Sequence, residues 1–113
     1  MIQSYEYGRI VVDGKEYRSD LLVYPDHVDA TWWRKEGHAL HVEDIKDAVD
    51  QARPETVVVG TGEVGRMMVL PETKDYLHLE GVQMIVEPTH QAVQTYNRLA
   101  ASRKVLAALH ITC

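Results

Sequence analysis

The chain reads as one α/β domain: a mixed central sheet with a parallel αβαβαβ C-terminal half and an N-terminal antiparallel hairpin. Three observations predict it. Asp13-Gly14 separates two apolar, β-branched runs, and Asp-Gly supplies the positive backbone angles of a tight hairpin turn. From residue 43 the apolar spacing changes from a strand period to a helix period. Helical and apolar segments then alternate, and helical crossovers of this length join parallel strands with right-handed connections.

The elements follow in order. Residues 5–12 and 15–24 are the two hairpin strands, the second ended by Pro25-Asp26. Residues 28–34 (VDATWWR) suit a short strand, Gly37 breaks it, and 39–42 (ALHV) forms another brief one. Ile45, Ala48, Val49 and Ala52 lie at i, i+3, i+4 and i+7, one stripe of a helix. Glu43 and Asp44 put negative charge at its start, and Arg53-Pro54 ends it. Strand 56–60 follows. Pro71 suits the first residue of a helix over 71–80, with Gly81 just past its end. Residues 82–86 (VQMIV) read as a buried strand. Thr89 is placed to cap helix 90–101, whose Ala92, Val93, Tyr96, Leu99 and Ala100 form the next stripe. Residues 104–111 (KVLAALHI) form a last strand. The order of the strands is left open.

Size and charge exclude several function classes. A chain of 113 residues fits a single domain, 1–113, with a core of its own but no room for a second, substrate-binding lobe. The net charge of −5 and pI near 5.6 disfavour nucleic acid as a partner. No apolar run approaches the ~20 residues of a membrane span. The segment MIQSYEYGR has neither a basic n-region nor an apolar h-region, and the single cysteine, Cys113, excludes an internal disulfide. A cytoplasmic setting is expected.

The loudest motif is VVVGTGEVG at 57–65, in which Gly60, Gly62 and Gly65 repeat the GxGxxG spacing of a dinucleotide turn. Glu87, closing a later apolar run, sits where a ribose-binding acid would be sought. In a true dinucleotide turn the helix begins at the second glycine and aims its free N–H groups at the pyrophosphate. Pro71 lacks an N–H and disfavours helix at Leu70, so the helix start is displaced beyond the glycines. The preferred reading is a strand-end turn. The other is a rim for a small ligand or anion, built from Gly60, Thr61 and Gly62 with Thr89 at the next helix start, together with Arg34 and Asn97. No cofactor is expected.

The remaining candidates are weaker. His38 and His41 are too few for a zinc site, so no metal is expected. His110 and Cys113 fall on opposite sides of an extended tail, which speaks against a nucleophile–base pair, and no catalytic residue is assigned. Trp32 and Trp33, adjacent on a strand, would face opposite ways, one of them toward an interface. Met67 and Met68 open an apolar run after the glycines that either packs over the sheet or forms an adaptable contact surface.

Several motifs also carry a family resemblance over nearly the whole chain. They are Tyr7-Gly8 with Ile10, Trp32-Trp33-Arg34, Pro54-Glu55 leading into Gly60-Thr61-Gly62, Pro71-Glu72, Gly81 and Thr89-x-x-Ala92. Thr95-Tyr96-Asn97 with Leu99 and Arg103-Val105-Ala107-Ala108 complete the set. In order and spacing the chain resembles a small α/β family that includes the adipogenesis-associated cytosolic protein of animals and a mitochondrial complex I assembly factor. That resemblance implies a mixed sheet, no catalytic residue, metal or cofactor to carry over, and a role in protein assembly or association. The expected function is therefore a non-enzymatic interaction or assembly module. Trp33, Met67 and Met68 are its candidate interface, a protein is its partner, and a second copy of the chain is a further candidate. The alternative is a small-ligand or anion-binding protein, or an enzyme, using the Gly60-Thr61-Gly62 and Thr89 pocket.

Overall fold

Two hydrophobic cores lie on opposite faces of one sheet, because the strands alternate their side chains between two layers. The computed structural model describes residues 1–113. Its central sheet has five strands in the order β5-β4-β10-β7-β9: β4 (Leu21–Val23), β5 (Val28–Asp29), β7 (Thr56–Thr61), β9 (Gln83–Glu87) and β10 (Val105–His110). β10, β7 and β9 run parallel, and β4 and β5 extend the sheet antiparallel. A second sheet, β1 (Ile2–Glu6), β2 (Arg9–Val12) and β3 (Lys15–Tyr17), is a meander. A small parallel pair joins β6 (Ala39–Leu40) to β8 (Met68–Val69).

Val57 and Val59 point to the face covered by α1 (Val42–Ala52) and α2 (Pro71–Leu79), where they meet Ile45, Val49 and Leu77. Val58 points to the other face, against Ala92, Val93 and Tyr96 of α3 (Thr89–Ala100) and against Ile2, Ile10 and Val12 of the small sheet. Strands buried on both faces read as continuous apolar runs, which is why β7 and β10 were legible.

Several boundaries differ from expectation. The run 5–12 is broken at Tyr7-Gly8, where Gly8 has φ 74°, and 15–24 splits into β3 and β4. The predicted strand 28–34 shrinks to Val28–Asp29. Trp32 and Trp33 lie in a loop, yet still divide: Trp32 Nε1 donates to Asp44 O at 2.8 Å, whereas Trp33 is 76% exposed. The 82–86 segment is a partly exposed edge strand, β9, rather than a buried one. Pro88, not Thr89, caps α3, because its extended ψ of 149° turns the chain into the helix. α1 ends as expected, with Arg53 in the left-handed region at φ 46° ahead of Pro54.

Candidate functional site

The three parallel strands deliver their carboxyl ends to one edge of the molecule, where open α/β sheets place ligands. β7 delivers Gly60-Thr61-Gly62, β9 delivers Glu87 and β10 delivers His110. α3 starts beside them at Thr89. Gly60, Thr61, Gly62 and Thr89, four of the six residues expected to share a rim, are thus brought together.

What fills the space between them is the chain itself. Thr89 is fully buried, and its Oγ1 donates to His110 O at 2.6 Å while accepting from Gly62 N at 2.9 Å. The Thr89 amide donates to Gly62 O at 3.0 Å. Glu63 N donates to Thr112 O at 2.7 Å and Arg66 N to Cys113 O at 3.1 Å. The amides of Gly62, Glu63, Arg66 and Thr89 are thus engaged within the chain, by the Thr89 hydroxyl and by backbone carbonyls. The two glycines allow the close approach. A Cβ on Gly60 would lie 2.8 Å from Thr89 Oγ1, and one on Gly62 would lie 2.1 Å from the carbonyl carbon of Cys113, at a φ of +106°. No helix springs from the glycines: residues 62–67 are non-helical, β8 intervenes, and α2 starts at Pro71. Glu87 Oε1 accepts from Thr95 Oγ1 at 2.6 Å, so the acid is turned toward α3.

Arg34 is held at the back of this region. Its side chain is 6% exposed, and Nη1 donates to Asp20 Oδ2 at 2.6 Å and Nη2 to Gly37 O at 2.8 Å. The guanidinium also stacks 4.9 Å from the Trp32 ring centroid. His110 Nδ1 lies 2.8 Å from the same Asp20 oxygen, and Ile111 N donates to Asp20 Oδ1 at 2.8 Å. A carboxylate is the stronger acceptor, so the tautomer inferred for His110 carries its proton on Nδ1. Burial works to raise the Asp20 pKa, but hydrogen bonds from His110, the Ile111 amide and Arg34, with the arginine charge, carry it down to about 2. The Asp–His pair resembles two members of a catalytic triad, yet His110 Nε2 is buried with no partner and the surface clefts reach none of Asp20, Arg34 and His110. The cluster ties the end of β10 to the start of β4.

Sequence reasoning missed Asp20. Its only local signal is a carboxylate directly before an apolar strand, and its partner His110 stands ninety residues away. The sequence offers His110 only Cys113 as a nearby partner. The structure turns its ring to Asp20, while Cys113 Sγ lies 3.5 Å from Tyr7 Oη. Of the two histidines weighed as metal ligands, His41 Nε2 contacts Glu36 at 2.8 Å and His38 packs edge-on against His110 at 5.8 Å. Asn97 lies apart from the rim. Its Oδ1 accepts from Ile2 N at 2.9 Å and its Nδ2 donates to Ile2 O at 2.8 Å, so it clips β1 to α3.

The open surface lies just outside the glycine turn. A groove of about 460 Å³ runs between the 61–69 segment and the end of β9. Val64, Met68 and Val86 line it and are 70%, 65% and 41% exposed. Arg66 and Lys74 add positive charge to it. Met67 has its backbone here but a side chain only 2% exposed, so of the two methionines only Met68 is a surface residue; Met67 packs under the loop with Leu40 and Val69. Met68 N donates to His38 O at 2.9 Å, which ties the Trp33-bearing loop to the groove's inner wall.

A family model described as "Protein of unknown function (DUF498/DUF598)" matches residues 2–110. Among solved structures, the conserved hypothetical protein PH1505 from Pyrococcus horikoshii OT3 is similar at 27% identity, with 100% of this chain and 99% of that one covered and a TM-score of 0.85. A Bordetella parapertussis protein is similar at 28% identity over 96% of this chain and 92% of that one, with a TM-score of 0.82. A Bartonella henselae protein described as an outer membrane protein shares the fold at 22% identity and a TM-score of 0.82, over 99% and 94% of the two chains. No helix of the present chain is long and apolar enough to cross a membrane.

Proposed function

This chain belongs to the DUF498/DUF598 family of proteins of unknown function, and from that premise we propose that it is a non-catalytic protein-association module. Its contact surface is the groove beside the glycine turn. The observation that carries the reading is the convergence of Val64, Met68 and Val86, all substantially exposed, on one groove. Contiguous exposed apolar surface on a small domain marks an interaction site more often than scattered single residues do. Methionine suits such a surface because its unbranched side chain adapts to the partner. Trp33, exposed on the loop that His38 anchors to Met68, is a second candidate contact residue. The resemblance to a family that includes a mitochondrial complex I assembly factor supports the same reading, and a cytoplasmic setting belongs to the proposal.

Affinity capture with the wild type, Val64→Asp, Met68→Asp and the distant exposed control Gln51→Asp tests it. The groove variants should lose a partner that the wild type and the control retain. Equal recovery by all four would contradict the assignment.

A further inference from the structure

The two edges of the central sheet are not alike. β5 offers two residues, and one of them is Asp29. β9 offers five, Gln83-Met84-Ile85-Val86-Glu87, with an apolar centre. A strand edge of that kind is a template for pairing with another chain.

The backbone of β9 sets which groups are free. Gln83 N donates to Glu55 O at 3.1 Å, so Gln83 faces β7. In a parallel pair the N–H and C=O of one residue point the same way and alternate along the strand. Ile85 and Glu87 therefore also face β7, and Met84 and Val86 present theirs outward. The hydrogen bonds outside the regular ladders engage neither residue. Pro88, with no N–H, ends the free edge.

We propose that the occupant of this edge is a second copy of the chain, pairing β9 with β9 antiparallel about a two-fold axis at Ile85. This rests on the association reading above and names a partner for the strand edge that adjoins the groove at Val86 and Glu87. The register follows from the free groups. Centring on Ile85 opposes Met84 to Val86 of the other copy twice, which makes four backbone hydrogen bonds; centring on Met84 or Val86 opposes that residue to itself and makes fewer. The same register opposes Gln83 to Glu87. Arg103 Nη1 already donates to Gln83 Oε1 at 3.1 Å. Each Glu87, with Oε1 held by Thr95, thus brings its Oε2 toward the Arg103 of the other copy, and the two-fold repeats that pair. On the opposite face Val86, 41% exposed, meets Met84 of the second copy beside the groove. The edge is complementary to itself in hydrogen bonding, in charge and in apolar contact, and the result is one ten-stranded sheet.

Sedimentation equilibrium over a wide concentration range, with amide exchange on the same samples, tests this. The wild type should dimerise, and the Met84 and Val86 amides should exchange more slowly as dimer accumulates. Glu87→Arg and Arg103→Glu should each weaken the dimer ~10-fold, and the two together should restore it to within ~3-fold. A monomer at every concentration overturns the self-pairing. So does a dimer whose Met84 and Val86 amides exchange as in the monomer, or a double variant no better than the singles. The capture experiment with Val64→Asp and Met68→Asp uses other residues, so a monomer that still captures a foreign partner through the groove refutes only the second copy.

Discussion

Asp20 Oδ2 and His110 Nδ1 stand 2.8 Å apart across ninety residues of chain, closing the start of β4 onto the end of β10. The Arg34 guanidinium completes the network at 2.6 Å. Because the Asp20 pKa is carried from 3.8 down to about 2, folding favours its ionised form. A depressed carboxylate contributes stability that is full above its unfolded pKa and is lost as pH falls through the folded one. The window is therefore pH 4 down to pH 2, and the contribution is on the order of 2 kcal/mol. Asp20→Asn should cost ~3 kcal/mol near neutrality, where Arg34 is left buried without its counter-charge. The gap between the two proteins in urea unfolding should narrow at pH 3 and below. A gap independent of pH would show that the carboxylate's charge is not what matters.

Gly62 and Gly81 both have positive φ, +106° and +73°, but different surroundings. A Cβ on Gly81 meets nothing within 4 Å, whereas one on Gly62 collides with the Cys113 backbone. Gly81→Ala should cost ~1 kcal/mol, a backbone-angle penalty alone. Gly62→Ala should cost ~3 kcal/mol or more, by displacing the tail from Glu63 and Arg66. Chemical denaturation of both variants reads the difference, and equal losses would mean the tail does not occupy the turn.

Asn97 supplies Ile2 with the two hydrogen bonds that a neighbouring strand would have given. Ile2 is 2% exposed, so water does not readily replace them. Asn97→Ala should destabilise by ~1–3 kcal/mol. The Ile2 amide should also exchange faster relative to the β7 amides. Unchanged protection at Ile2 would remove Asn97 from the anchoring of β1.

The parts of the fold legible from sequence were those whose signal is local. α1 declares itself by the stripe Ile45, Ala48, Val49 and by Arg53-Pro54. α2 declares itself by Pro71, and the separation of Gly65 from Pro71 correctly denied the glycine turn a helix. The hairpin at Asp13-Gly14 was legible for the same reason, with both residues at positive φ. What escaped depends on contacts distant in sequence. The bend at Tyr7-Gly8 is set where Gly8 N donates to Ile111 O, and no local pattern announces that partner. Asp20 is one of many acidic residues until His110 and Arg34 close on it. β9 looked buried because Met84, Ile85 and Val86 are all apolar, but strand order places it at the edge. At the candidate site the glycines were recognised, while their occupant, residues 112–113, was not. Met67 and Met68 are indistinguishable as a dipeptide; the fold buries Met67, whose amide donates to Thr61 O, and leaves Met68 exposed at the start of β8.

Photo-cross-linking from a single site tests the association surface most directly. A benzophenone side chain replaces Met68 in one sample and the exposed Gln51 on α1 in the other, in otherwise intact protein. A discrete cross-linked product from position 68, absent from position 51 and lost when Val64→Asp is added, is the predicted result. Equal labelling from both positions, or a product from 68 that survives Val64→Asp unchanged, would contradict the groove as the place where this protein meets its partner.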